Sequence, residues 1–71
     1  MTLRLTVERE RRDWSRSELA RRAGMSNADV GKIEAGRSIP YASQLLKMKS
    51  ALGFAGNPDE LMEEARGHAG D

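Results

Sequence analysis

The side chains able to do chemistry in this 71-residue chain are mostly arginines and lysines. Cysteine is absent, which removes disulfides, thiol nucleophiles and thiolate metal sites. His68 is the only histidine, and in the segment RGHAGD we expect a solvated tail residue and not a metal ligand or a catalytic base. The sequence contains no nucleophile–base pair, metal-ligand cluster or phosphate loop. It therefore predicts a binding protein that is not an enzyme and uses no cofactor or metal.

The charged residues are unevenly distributed along the chain. The formal net charge is +1, from 12 Lys and Arg against 11 Asp and Glu. Residues 1–22 hold seven arginines and four acids, and residues 23–56 hold four cations and two acids, whereas residues 57–71 hold five acids and one arginine. A basic body is typical of a protein that binds a polyanion, and a solvated arginine-rich face is the alternative.

Length and composition limit what this chain can build. Hydrophobic residues make up 38% of it and aromatic residues 4%, so a single small domain must form its core from Leu, Ile, Val, Met and Ala. No apolar run approaches the roughly 20 residues of a membrane span, and the first residues lack the apolar segment of a secretion signal. We expect a cytoplasmic protein without a membrane partner.

Helix signals separated by Gly and Pro divide the sequence, and no alternating β-branched run indicates a strand. The pattern predicts an all-α fold, a compact bundle of five short helices in a single domain over residues 1–66. The helices are expected at about residues 3–12, 16–23, 27–35, 41–52 and 58–66. Residues 67–71 are expected to form a flexible C-terminal tail.

Capping residues mark where several of these helices begin and end. In SRSE, Ser15 and Glu18 have the spacing of a reciprocal capping box, and Ser26 heads a similar arrangement in SNAD. Gly36 follows the third helix as a left-handed residue, and Asn57 is placed to cap the last one. The last helix is too short to be stable alone, so it must pack on the rest through its apolar residues.

The link between the second and third helices is only the three residues GMS. A short turn with a leading glycine sets two short helices at about 90–120° to each other, which requires small or apolar residues where they cross. Gly24 supplies the turn, Ala20 the small residue, and Leu19, Val30 and Ile33 the apolar contacts. Their fixed spacing favours a helix-turn-helix.

The segment WSRSELARRAGMSNADVGKIEAGRSIP, with LLKMKSALGF after it, closely resembles the Cro/CI-type (XRE-like) helix-turn-helix family of DNA-binding domains. The resemblance runs from about residue 9 to residue 54. The matching positions are Trp14, Ser15, Leu19, Ala20, Gly24, Met25, Ser26, Val30, Ile33, Glu34, Gly36, Pro40, Leu45, Leu46, Leu52 and Gly53. It implies a lambda-repressor-like bundle whose third helix lies in the DNA major groove.

The resemblance also implies which residues read the bases, namely Asn27, Ala28 and Lys32. Asn27 can bond adenine through two hydrogen bonds or be an exposed first-turn residue, and Lys32 can reach guanine or a phosphate or remain solvated. Ala28 offers a methyl group to thymine, or only clearance. Gly31 costs about 0.5–1 kcal/mol relative to Ala in a helix, which suggests close approach to DNA or neutral drift. Asp29 is read as a cap residue, with recognition of a cytosine amine as the alternative.

Phosphate contacts follow from the same resemblance. Arg16 occupies the position where the family usually has a glutamine that holds a phosphate; arginine keeps that role but loses the neutral amide that braces a base-reading side chain in some relatives. Arg9 and Glu34 match a structural ion pair. The remaining phosphate-contact positions are Ser17, Ser26, Arg37, Ser38 and Ser43.

Together these features predict a sequence-specific, double-stranded DNA-binding transcriptional regulator of the repressor or controller type. Because few residues read bases and a genome offers about a million or more competing sites, we expect a dimer on a palindromic operator. The expected dimer contact lies in the later part of the chain, and the same side chains would serve equally as intramolecular core. Its residues are Phe54, Leu61, Met62 and Ala65.

A protein of another class is compatible with the same sequence. An adaptor or antitoxin on this fold would use the acidic C-terminal segment, or the last helix, to bind a protein partner. Helix-cap acids and a disordered end explain the same residues.

Overall fold

The chain forms four α-helices and one short 3₁₀-helix in the computed structural model, which describes residues 2–65. The α-helices are α1 (Arg4–Arg11), α2 (Arg16–Ala23), α3 (Asn27–Glu34) and α4 (Ala42–Leu52), and the 3₁₀-helix, η1, is Pro58–Met62. The all-α class is confirmed, and the first four helices lie within one residue of their predicted bounds. No helix within residues 2–65 combines the length and the apolar character that a membrane crossing needs.

The prediction of a fifth α-helix over residues 58–66 is wrong. After η1 the backbone becomes extended at Glu63, with φ −82° and ψ 153°. The main chain then pairs with the start of the domain: Arg4 N donates to Glu63 O at 2.8 Å, and Ala65 N donates to Thr2 O at 2.7 Å. This pairing takes the backbone groups that a longer helix would need, so one five-residue turn remains.

Residue 66, the predicted tail at residues 67–71 and His68 within that tail lie outside the described residues.

The core joins all five elements. Its largest fully buried side chains are Leu5, Leu19, Val30, Ile33, Met48 and Leu61. Leu61 was expected either at a dimer contact or in the core, and with 0% exposure it belongs to the core of its own chain, so its prediction as a dimer contact is wrong. Phe54 and Met62 are partly buried and pack against this core.

Serine caps open both helices of the helix-turn-helix. Ser15 Oγ accepts a hydrogen bond from Glu18 N at 3.1 Å, and Ser26 Oγ accepts one from Asp29 N at 3.0 Å. The predicted return bond from Glu18 to Ser15 is replaced, because the Glu18 carboxylate accepts hydrogen bonds from two arginines one turn further along. Each cap satisfies a backbone donor that the helix itself leaves unpaired, and contributes about 1 kcal/mol.

The turn between α2 and α3 is set by backbone conformation. Gly24 lies at φ 69° and ψ 36°, in the left-handed region, and Met25 N donates to Ala20 O at 2.8 Å to close the turn. A Cβ at Gly24 would meet nothing within 4 Å, so φ and not space selects glycine. Beneath the turn, Leu19 and Val30 are fully buried, as predicted. The turn thereby fixes which face of α3 points away from the core.

Candidate nucleic-acid interface

Helix α3 has one buried face and one open face. Val30 and Ile33 are buried, at 0% and 1% exposure, and attach the helix to the core. On the other side Asn27, Ala28 and Lys32 are exposed. The three predicted base-reading side chains therefore lie together on one short helix, on the side away from the core.

Gly31 lies within the same helix and is partly exposed. A Cβ at this position would meet no atom of another element within 4 Å. Its backbone is ordinary right-handed helix, because the positive φ angles of the described residues belong to Asp13, Gly24, Gly36 and Gly53. The fold of the chain itself therefore does not require glycine at position 31.

The Glu34 carboxylate, at the end of α3, is bound by arginines from two other parts of the chain. Arg9 Nε lies 2.8 Å from Oε2 and Arg9 Nη2 lies 3.1 Å from Oε1, so this pair has two parallel hydrogen bonds. Arg16 Nε donates to the same Oε1 at 3.3 Å. The Glu34 side chain is 1% exposed, and its hydrogen bond raises the pKa of Arg9. The structural ion pair implied by the resemblance is present, and Glu34 ties α1 and α2 to α3.

Arg16 differs from Arg9 in how many of its donors are used. Arg9 is 10% exposed and its third nitrogen, Nη1, donates to Trp14 O at 2.7 Å. Arg16 is 56% exposed, and within residues 2–65 only its Nε has a hydrogen-bond acceptor. Its two terminal amino groups remain available at the surface beside the start of α2. The sequence did not predict the bond between Arg16 and Glu34, whose only signal is that helix-turn-helix geometry brings the start of α2 near the end of α3.

The other arginines of residues 1–22 also bind carboxylates of the chain. Glu8, whose side chain is 7% exposed, accepts from two arginines of α1 at 3.5 and 3.2 Å and from Arg12, which follows that helix, at 3.0 Å. Glu18 binds two arginines of α2. The five arginines are Arg4, Arg11 and Arg12 on Glu8, and Arg21 and Arg22 on Glu18. The arginines of residues 1–22 are thus held in internal ion pairs, which the count of charges alone does not reveal, but two carboxylates cannot balance five positive charges and the segment stays basic.

The basic side chains outside these ion pairs lie from α3 onward. Within residues 2–65 four cations have no carboxylate within 4.0 Å. They are Lys32, Arg37, Lys47 and Lys49. Lys32 lies on the open face of α3, and Arg37 lies in the loop after that helix, with its N–H bonded to Lys32 O at 2.9 Å. Lys32 and Arg37 are therefore the cations without a carboxylate partner that lie nearest to the predicted base-reading residues.

The hydroxyl groups predicted to contact phosphate lie at helix starts and in the loop after α3. Ser17 in the first turn of α2, Ser26 before α3 and Ser43 in the first turn of α4 are exposed, and Ser38 is partly exposed. Ser26 Oγ already accepts its cap bond, which leaves the hydroxyl hydrogen free to donate. The backbone N–H groups and the positive dipole ends at the starts of α2 and α3 also favour a phosphate at these positions.

Three large apolar side chains on the surface were not predicted. Ile39 is 91% exposed, Tyr41 is 75% exposed and Leu46 is 57% exposed. Leu46 follows Leu45, and successive helical residues differ by about 100° around the axis, so they cannot both face the core. Leu45 takes the buried position, at 9% exposure.

Two capped helices joined by a tight left-handed turn, with the second presenting an open polar face, define the helix-turn-helix class of DNA-binding domain. Residues 1–65 match the family model described as a helix-turn-helix domain, which is of the XRE/Cro-like type. The chain belongs to this family, and the resemblance found in its sequence is confirmed. Searches of curated proteins and of solved structures give no significant match. Family membership makes the chain a DNA-binding regulator at the level of its class.

Proposed function

We propose that this protein is a transcriptional regulator of the repressor or controller type that binds double-stranded DNA in a sequence-specific manner without catalysis. The observation that carries the proposal is the two-sided character of α3, whose buried face is fixed by Val30 and Ile33 and whose open face is small and polar. The major groove of B-DNA is about 12 Å wide and admits an α-helix with its side chains.

Asn27 and Lys32 are the proposed hydrogen-bonding readers of base edges. Asn27 bonds adenine N6 and N7, and Lys32 bonds guanine O6 or N7. Ala28 contacts a thymine methyl group, and Gly31 allows the helix backbone to approach the bases. The support is that these four positions share the exposed side of one helix and that no other described residue covers them.

The register of α3 on DNA is proposed to come from phosphate contacts on both sides of it. Arg16 and Arg37 supply charged donors, because both keep free amino groups at the surface. The hydroxyl donors are Ser17, Ser26, Ser38 and Ser43. Such contacts position the protein but carry no sequence information directly.

We further propose that two copies bind a palindromic operator, with half-sites one helical turn apart, about 34–36 Å. A single α3 offers too few base contacts for useful discrimination in a genome. Of the predicted dimer residues, Phe54, Met62 and Ala65 are partly exposed and remain candidates, whereas Leu61 is excluded by its burial.

The test is a selection of binding sites from random duplex DNA at a stated salt concentration, together with the mass of the free protein by sedimentation. The proposal predicts an enriched motif with two-fold symmetry and a mass that doubles as concentration rises. An enriched motif without two-fold symmetry would reject the proposed dimer on a palindromic operator. Selected DNA with no enriched motif would reject the proposal that the protein binds DNA in a sequence-specific manner.

An adaptor or antitoxin that binds a protein partner is the second candidate. It is favoured by the exposed acids Asp59, Glu63 and Glu64, none of which has a basic partner within 4.0 Å among residues 2–65. The site selection separates the two candidates, because an adaptor that does not bind DNA enriches no motif.

A further inference from the structure

Glu34 binds two arginines whose remaining donors face different environments. All three nitrogens of the Arg9 guanidinium are occupied inside the chain, by the two Glu34 oxygens and by Trp14 O. Arg16 gives only Nε to Glu34 and keeps both terminal amino groups at the surface. One negative charge therefore serves two positive ones, and the unbalanced charge is carried by the exposed arginine.

The bond at Nε restricts the Arg16 side chain without using the groups that bind anions. A guanidinium is planar, so an acceptor at Nε fixes the plane in which the two amino groups lie. An exposed arginine otherwise loses its conformational freedom only when it binds, which weakens binding. The Glu34 oxygen that accepts from Arg16 is itself fixed by Arg9 Nη2, at 3.1 Å, and by burial of the carboxylate.

We propose that Glu34 is a positioning residue for DNA binding, which holds Arg16 at Nε so that its two amino groups meet a backbone phosphate beside the recognition helix α3. This inference rests on the proposed function and gives Glu34 a role beyond the structural ion pair with Arg9. It links the end of the base-reading helix to the phosphate contact at the start of α2 through one carboxylate.

Replacing Glu34 should change DNA affinity in the direction opposite to that expected from simple electrostatics. Removing an acidic residue from a DNA-binding protein ordinarily strengthens binding, because repulsion from phosphate is lost. Glu34→Gln instead lowers affinity for the selected duplex and reduces the slope of log K against log salt by about 1, the amount expected for one lost phosphate contact. Arg16→Ala reduces the salt slope by the same amount. Adding Glu34→Gln to the Arg16→Ala variant does not reduce the slope further.

Glu18→Gln is the matched control, since Glu18 also binds two arginines of the helix-turn-helix region but lies on the surface. We expect this variant to bind the duplex at least as tightly as the parent, with an unchanged or larger salt slope. Full helical circular dichroism is required of every variant. Slope reductions from Glu34→Gln and Arg16→Ala that add in the double variant would overturn the inference.

Glu34→Gln risks unfolding because Arg9 would lose a buried charged partner, so a second measurement uses the unmodified protein. Nitrogen-15 NMR follows the arginine Nε–H groups in the free protein and bound to the selected duplex. The Arg16 Nε–H exchanges more slowly than that of Arg37 in both states. Exchange as fast as that of Arg37, or loss of protection when DNA binds, overturns the inference. A site selection without any enriched motif rejects the proposed function, whereas tight binding with a freely exchanging Arg16 rejects only the role of Glu34.

Discussion

Replacing Gly31 with alanine separates the demands of folding from the demands of binding. The added methyl group meets no atom of another element within 4 Å, and the backbone at this position is ordinary right-handed helix. Alanine is favoured over glycine within a helix by about 0.5–1 kcal/mol. For a domain of this size that gain raises Tm by about 2–8 °C.

The same methyl group lies on the open face of α3, where the bases would be. If the helix backbone approaches the base edges closely, the methyl occupies space that the DNA needs, and affinity for the selected duplex falls although the protein is more stable. Thermal unfolding followed by circular dichroism and a binding titration on the same sample measure both effects. No mutation that merely damages the fold combines a higher Tm with weaker binding.

Each half of this result can refute a separate step. An unchanged or lower Tm would show that Gly31 is required by the chain itself, contrary to the open space around it. A higher Tm with unchanged affinity would show that the helix does not approach DNA closely at this position, and neutral drift would then explain the glycine. Asn27→Ala serves as the comparison, because it should weaken binding by removing a base-reading amide and adds no volume to the open face of α3.

Lys32, Leu61 and Glu18 test the base contacts, the core and the ion pairs in turn. Lys32→Ala relaxes the base preference at one or two positions of the motif, measured by repeating the site selection; an unchanged motif with weaker binding assigns Lys32 to a phosphate instead. Leu61→Ala lowers the free energy of unfolding by about 2–5 kcal/mol because it empties a fully buried site, measured by urea denaturation; a loss below about 1 kcal/mol contradicts its place in the core. Hydrogen bonds from Arg21 and Arg22 lower the pKa of Glu18, so its contribution to stability is complete above the unfolded carboxyl pKa of about 4.3 and is lost as pH falls through the lower folded value. The difference between the urea midpoints measured at neutral and at acidic pH is therefore smaller for Glu18→Gln than for the parent. An unchanged difference would refute a stabilising role for the ion pairs of Glu18.

The helix-turn-helix was predictable because its determinants are local. Ser15 and Ser26 each cap a helix by bonding an N–H three residues away, and Gly24 adopts the left-handed conformation that its place in the turn demands. The buried residues of α2 and α3 follow from helical periodicity within eight-residue segments. Because each of these determinants acts within a few residues, the local sequence contains all the information needed to predict it.

The end of the domain was mispredicted because its determinants are not local. Asn57 and Pro58 correctly mark the start of a helix, with Asn57 Oδ1 accepting from Asp59 N at 3.1 Å. What ends that helix early is pairing of residues 63–65 with residues 2–4, across the whole length of the domain. No cap or periodicity near residue 63 carries that information.

Charge partners were the least predictable part of the candidate site. The bond between Arg16 and Glu34 joins residues 18 positions apart, and Glu8 and Glu18 together bind five arginines, a pairing that a count of charges does not show. Their pairing depends on side-chain directions that exist only in the fold. The base-reading face of α3, in contrast, was predicted from the family resemblance, and its role remains a proposal.

Helix α3 is proposed to read base edges in the major groove, and atom-specific substitution in the selected duplex tests this role most directly. Replacing a purine of the motif by its 7-deaza analogue removes the major-groove N7 acceptor while base pairing is kept. We predict a loss of affinity of at least about fivefold at the position read by Asn27 or Lys32. In contrast, 3-deazaadenine, which removes a minor-groove acceptor, should have little effect. Affinity that is insensitive to every N7 removal but falls with 3-deazaadenine would show that the protein reads the minor groove and that α3 does not read the major groove.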